Sequence, residues 1–426
     1  MAMTRAALLE RVRAEARWDL VVIGGGATGL GTALDAAARG YKTLLLEAHD
    51  FAQGTSSRST KLIHGGVRYL AQGRLGLVRE ALRERGRLLR NAPHLVRPLA
   101  FVLPAYARWS IPYYGLGLKL YDLLAGAGGL GASHPVSRAE ALRRAPTLEP
   151  RGLRGGTVYF DAQFDDARLA IALLRSLLDR GGVALNYAPV TALVKRDGRV
   201  AGVRARDAET GAELEVAARV VINATGVYAD AVRLLDDQAA PPMIAPSQGI
   251  HLVLDRAFLP GDSAVLVPRT DDGRVLFAIP WHGRVLLGTT DTPVDRLPIE
   301  PRPLAREVEF LLDHAARYFR PAPAAGDIRS VFAGLRPLVR PGGPVRATAR
   351  LARGHALVVS PSGLVTITGG KWTSYRLMAA AAVDRAAAVA GLPRVPCPTA
   401  TLPLHGGDSG PEATASGPVS AYGSDA

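Results

Sequence analysis

Hydrophobic positions along this chain first gather into short unbroken runs. Residues 20–23 and 43–46 read as strands, and the small-residue stretch between them, opening at Gly24-x-Gly26-x-x-Gly29, reads as a helix. Arg and Leu alternate at helical spacing over 79–91. Residues 93–135 carry many Pro, Tyr and Gly with little periodicity, which predicts loops and short helices reaching toward a substrate domain. A strand resumes at 155–159, and Asp165 and Asp166 open a strong helix. Strands follow at 183–186, 190–196 and 200–205, the last two joined by a hairpin at Asp197-Gly198, and another ends in Ala224-Thr225-Gly226. From 247 to 290 the pattern becomes antiparallel, with strands at 251–254, 264–267, 275–280 and 285–288. A helix at 304–316, strands at 357–359 and 364–367 and a closing helix at 375–390 complete the ordered part. Beyond Leu404 the Gly/Ser/Ala/Pro-rich composition predicts a flexible tail.

The 426 residues, 48% hydrophobic, can bury a large core, expected here as two interleaved domains. One cysteine, Cys397, excludes an internal disulfide framework and fits a reducing, cytoplasmic setting. The formal charge of +14 invites a nucleic-acid reading, but only five of the 52 cations are lysines and the arginines are spread along the chain, so no nucleic-acid partner is expected. No apolar run is long enough to span a bilayer, and the N-terminus lacks a signal-peptide pattern. Residues 5–17 set Leu8, Leu9 and Val12 among arginines; this segment reads either as an amphipathic helix on an anionic membrane surface or as a solvated helix leading into the first strand.

Strand, glycines, helix, strand and acid together form a dinucleotide-binding fingerprint. Gly24, Gly26 and Gly29 allow a tight turn, close approach to a pyrophosphate and helix packing, while Glu47 can accept ribose hydroxyls. A nicotinamide enzyme would continue with further βα units. Here Thr55, Ser56, Ser57, Lys61, His64, Gly65 and Gly66 follow instead, hydroxyls and glycines suited to a pyrophosphate and an isoalloxazine ring. Ala224-Thr225-Gly226 resembles the second FAD contact of two-domain flavoproteins, so FAD is the expected cofactor and no metal is expected.

Four separated segments resemble FAD-dependent, quinone-linked glycerol-3-phosphate dehydrogenases. They are residues 23–70 with Lys61-Leu62-Ile63-His64-Gly65-Gly66-Val67-Arg68-Tyr69-Leu70, Ile279-Pro280-Trp281 with Gly288-Thr289-Thr290-Asp291, Gly334-Leu335-Arg336-Pro337-Leu338, and residues 360–376 with Gly369-Gly370-Lys371-Trp372-Thr373. The resemblance implies an α/β (α+β overall) fold, a Rossmann-type FAD-binding domain interleaved with an antiparallel-sheet substrate domain as in amino-acid-oxidase-like flavoproteins. The corresponding boundaries are 18–95, 152–236 and 345–400 for FAD, 96–151 and 237–344 for substrate, 1–17 for an N-terminal amphipathic segment and 401–426 for a tail opening a truncated C-terminal domain. It further implies oxidation of sn-glycerol 3-phosphate to dihydroxyacetone phosphate, electrons going to the quinone pool; an oxidase using O2 and a non-catalytic FAD-binding fragment are the alternatives. A homodimer and peripheral attachment to the inner face of the cytoplasmic membrane accompany the family reading. Arg68, Tyr69, Arg336 and Arg353 match substrate-contacting positions, although Gly354 replaces the acidic neighbour expected after Arg353. Gly369, Gly370 and Lys371 match positions at the flavin. His251 and His64 compete as base, with His251 preferred and His64 assigned flavin-side support.

Overall fold

The computed structural model describes residues 4–70, 73–268, 270–271, 273–340, 354–408 and 418–425. Among these residues two sheets organise the molecule, one of eight strands and one of ten. In the smaller sheet the parallel strands are Val365–Gly369, Glu213–Asn223, Trp18–Ile23, Thr43–Leu46 and Val183–Leu185, in that spatial order, with His355–Val359 antiparallel at one edge. The hairpin of Val190–Arg196 and Arg199–Arg206 continues from the extended start of Glu213–Asn223.

These strands are apolar without alternation because both faces are covered. Helices Ala27–Ala38, Asp166–Asp179 and Tyr375–Ala390 pack on one face, where Leu20, Leu30, Leu45 and Met378 are fully buried. Each such leucine stabilises the fold by about 2 kcal/mol. Helix Asp166–Asp179 starts as its sequence predicts: the Asp165 side chain accepts from Arg168 N at 3.0 Å. The opposite face packs against the hairpin and the N-terminal helix Arg5–Ala14, whose Leu9 and Val12 are buried beside Val183 and Leu185. Arg5 Nη2 reaches Asp207 Oδ1 at 2.6 Å. The segment is a helix leading into the first strand, as one reading has it, with its polar residues outward; its apolar side is taken by the sheet and not left for a membrane surface.

The larger sheet runs Thr292–Pro293, Ile244–Asp255, Arg284–Gly288, Leu276–Trp281, Ala264–Val267, Val96–Ala105, Gly155–Phe164 and Leu62–Ile63, with Ser330–Val339 paired to Ile244–Asp255. Three differences from expectation matter. Residues 93–135 contain the ten-residue strand Val96–Ala105 and the 16-residue helix Ser110–Ala125, not loops and short helices. Strand Gly155–Phe164, assigned by sequence boundaries to the cofactor domain, pairs along its whole length with Val96–Ala105 in the larger sheet. The tail is docked where it is described: Pro418–Asp425 forms a 3-10 run, Ser424 N donates to Gly406 O at 3.1 Å, and Arg168 lies 4.0 Å over the Tyr422 ring. His405 spans Asp179 at 2.6 Å and Asp425 at 2.7 Å, a pairing the tail's low hydrophobicity did not reveal.

Candidate active site

Carboxyl ends of the parallel strands converge on a cleft of about 510 Å³. Gly24, Gly26, Glu47, Ala224, Thr225, Gly226, Gly369 and Gly370 all line it, with Thr55 and Ser56 from the loop after the second strand. Its backbone suits a dinucleotide. A Cβ on Gly24, which has φ +108°, would lie 2.8 Å from Ala224 O, so only glycine closes this turn. Gly29 stands outside the cleft and packs its helix onto the strand end, where a Cβ would come within 1.8 Å of Gly24 O. Helix Ala27–Ala38 begins at Gly26 with no side-chain cap of its own, presenting free-ended N–H groups, of which Ala27 N donates to Ser56 Oγ at 2.9 Å. Glu47 accepts from Gly25 N at 2.6 Å and His49 N at 2.8 Å, holding its carboxylate at the cleft edge.

A second, larger cavity of about 1260 Å³ adjoins the first. Thr60, Leu62, His64, Arg336 and Lys371 line both and form the shared wall. Gly66 and Tyr69 face this chamber with Thr289, Thr290 and Asp291. Lys371 Nζ lies 4.1 Å over the Tyr69 ring. Arg336 comes from Ser330–Val339, in register opposite Ser247, and fills space that a side chain on Gly249 would occupy. Its guanidinium donates to Thr289 Oγ1 at 2.9 Å and Thr290 O at 2.8 Å and approaches Asp291 Oδ1 at 3.4 Å. The fork is thus aimed before any ligand arrives.

His251 is buried on Ile244–Asp255, its ring stacked on Phe332 at 4.8 Å and its Nε2 2.9 Å from Thr60 Oγ1. Burial, and then the charges of Arg336 and Lys61, push the imidazole down to about 3, so it is neutral across the physiological range. His64 is half-buried at the wall between the cavities, its carbonyl 3.4 Å from Thr373 Oγ1.

Three expected cofactor contacts lie elsewhere. Lys61 is buried away from both cavities: it has φ +61°, and its ammonium donates to Asp166 Oδ1 at 2.6 Å and to Ser57 O at 2.7 Å. Ser57 accordingly serves Lys61 through its carbonyl. Gly65 faces inward, donating its N–H to the Tyr121 hydroxyl at 2.8 Å. Arg68 falls within the short helix Val67–Leu70, and Arg353 lies outside the described residues.

Other site residues were absent from the sequence reading. Arg58 and Tyr228 line the cleft and tether the crossing segment 297–300: Tyr228 Oη donates to Leu297 O at 3.2 Å, while Arg58 donates to Ile299 O at 2.7 Å and Glu300 Oε1 at 2.6 Å. Arg58 stands inside the Thr55–Lys61 hydroxyl run, the one signal that could have found it. Thr289, Thr290 and Asp291 belong to a recognised string but carried no assigned role. The chamber's outer wall is Trp109, Tyr113, Leu116, Leu120 and Leu123 on or beside helix Ser110–Ala125.

Comparisons with known proteins agree with this geometry. Residues 19–376 match the family of FAD dependent oxidoreductases. The mitochondrial glycerol-3-phosphate dehydrogenase of Mesocricetus auratus is 44% identical over 420 residues, covering 95% of this chain and 57% of that protein. That of Saccharomyces cerevisiae is 40% identical over 447 residues, covering 95% and 69%. Among solved structures, the glycerol-3-phosphate dehydrogenase from Bacillus halodurans complexed with FAD superposes with a TM-score of 0.77 at 35% identity, covering 95% of this chain and 70% of that one. The chain thus spans little more than half the length of the mammalian relatives it matches. A glycine-lined dinucleotide cleft, a cation-walled chamber beside it and these likenesses over nearly the whole chain have one explanation: the chain belongs to the FAD-dependent oxidoreductase family, in its glycerol-3-phosphate dehydrogenase group.

Proposed function

We propose that this chain binds FAD in the cleft and oxidises sn-glycerol 3-phosphate to dihydroxyacetone phosphate in the chamber. The observation that carries the reading is the shared wall, where His64, Arg336 and Lys371 border both cavities. When bound, FAD supplies the two-electron acceptor. Gly24, Gly26 and the first turn of Ala27–Ala38 would hold its pyrophosphate, with Glu47 at the ribose and Gly369 and Gly370 against the ring.

Arg336 and Lys371, with Tyr69 beside them, would meet the substrate phosphate, the guanidinium being already oriented by Thr289, Thr290 and Asp291. His251 is assigned the alcohol proton. It reaches the hydroxyl from the cleft, which it lines, and not from within the chamber; its Nε2 lies 2.9 Å from Thr60 Oγ1, and the burial and cations that keep it neutral also make it a weak base, so it takes the proton only as the alcohol is oxidised. His64 supports the wall on the cofactor side.

The chamber far exceeds the volume of a three-carbon phosphate, and its outer wall is apolar. Leu116 and Leu123 are 77% and 75% exposed, and Trp109 is 64% exposed. No helix among the described residues is long and apolar enough to cross a membrane. The acceptor supported by this wall is an apolar quinone, reached by resting helix Ser110–Ala125, rather than the N-terminal helix, on the inner face of a membrane.

The test is anaerobic addition of glycerol 3-phosphate to the FAD-loaded protein. The flavin absorbance should bleach, and His251→Gln should slow bleaching by about 100-fold or more. Unchanged absorbance in the native protein would leave a flavin-binding fragment. Peroxide formation at the rate of substrate oxidation, without quinone, would assign an oxidase.

A further inference from the structure

Behind the His64-Gly65-Gly66 turn lies a polar network that the proposed chemistry does not use. Arg85, Tyr121 and Asp161 come from helix Leu75–Asn91, helix Ser110–Ala125 and strand Gly155–Phe164, and each is at most 2% exposed. Arg85 Nη1 donates to Asp161 Oδ1 at 2.7 Å, and its other arm to Gly128 O at 3.0 Å. The Tyr121 hydroxyl donates to Asp161, 2.8 Å from Oδ2 and 3.0 Å from Oδ1. With its proton committed to the carboxylate, the hydroxyl presents lone pairs to Gly65 N–H at 2.8 Å. The other acceptor near that amide is Asp161 Oδ1, at 3.4 Å.

The turn is thin. A Cβ on Gly65 would lie 2.6 Å from Tyr121 Oη, and one on Gly66 would lie 2.6 Å from the Tyr69 ring and 3.4 Å from Lys371 Nζ. Asp161 itself reaches the chamber lining, and the two glycines stand between the Tyr121 hydroxyl and the Tyr69–Lys371 pair.

We infer that Tyr121 and Asp161 are positioning residues, which hold Tyr69 and Lys371 at the substrate phosphate by fixing the Gly65 amide. The inference rests on the substrate reading above. Arg85 keeps Asp161 an acceptor, Asp161 orients the hydroxyl, and the hydroxyl fixes the turn. Such a chain is strong when complete, because each buried polar group depends on the next.

Tyr121→Phe removes one atom and keeps the ring that packs on Tyr159. In the FAD-loaded variant, amide exchange in the segment 62–66 should accelerate while distant segments and FAD content match the native protein. The KM for glycerol 3-phosphate should rise on the order of tenfold, with the limiting rate of flavin reduction within about threefold of native. Asp161→Asn still offers Tyr121 an acceptor but leaves the buried Arg85 without its carboxylate, so it should lower the unfolding midpoint as well as accelerate exchange at 62–66. A purely structural role would lower the unfolding midpoint and leave KM and exchange at 62–66 native, and that result overturns the inference. Exchange needs no substrate, so it separates two failures. A native protein that does not bleach refutes the substrate reading, while unchanged exchange in Tyr121→Phe refutes the positioning role.

Discussion

Acidification should weaken this fold through His251. Its imidazole is held down to about 3 by burial and by the charges of Arg336 and Lys61, against an ordinary value of 6.5. A depressed histidine stabilises the folded state fully above its unfolded pKa, and that contribution is lost as pH falls, because the unfolded chain binds the proton first. Between about pH 7.5 and pH 5 the unfolded state gains RT ln(1 + 10^1.5), about 2 kcal/mol, while the folded state gains almost nothing. Near pH 3 the loss reaches about 4 kcal/mol and levels off. Other groups are shifted too: burial raises Asp161 and Asp166, burial lowers His94, and His405 is raised by Asp179 and Asp425 against its own burial. The assay is therefore a difference. Urea unfolding of the native protein and His251→Gln, followed by tryptophan fluorescence with excess FAD, should show the native advantage shrinking by about 2 kcal/mol from the higher pH to the lower. An advantage that is the same at both values would refute the claim that His251 is neutral and desolvated. It would also remove the reason for expecting flavin reduction to lack an acid limb near pH 6.5.

Three further outcomes follow from particular contacts. Gly29→Ala places a Cβ on Gly24 O and should cost about 2–3 kcal/mol and most of the bound flavin, read by thermal unfolding and the absorbance ratio of purified protein. Glu300→Gln breaks an exposed pair with Arg58 and should speed FAD release about two- to fivefold, with less salt dependence than the native protein; equal rates would show that segment 297–300 does not retain the cofactor. Replacing Trp109, Leu116 and Leu123 by Ser together should weaken flotation with anionic vesicles by at least about tenfold, whereas Leu9→Ser, in a helix already covered by the sheet, should lower the unfolding midpoint and leave flotation unchanged.

What could be read in the sequence and what could not divide along physical lines. The cofactor cleft was legible because its requirements are local: Gly24, Gly26 and the acid at Glu47 sit within one βαβ unit, and all three line the cleft. Helix Ser110–Ala125 was not legible. Pro112, Gly115 and Gly117 look like breakers, and its apolar side chains form no single stripe, since Leu118 and Tyr121 point into the core while Leu116 and Leu123 point out. Strand Val96–Ala105 was hidden by Pro98 and Pro104, which ordinarily argue against a strand paired along its length. Lys61 failed for another reason. As one of few lysines, inside a family string, it looked like a cofactor cation, yet its ammonium is bonded to Asp166, more than a hundred residues away in the chain. A motif names a residue without naming its partner, and a buried charge is decided by the partner. The same consideration gives Arg336 and Lys371 their standing. Both line the wall between cleft and chamber, where a second charge arriving on a ligand can be met, and Lys61 does not.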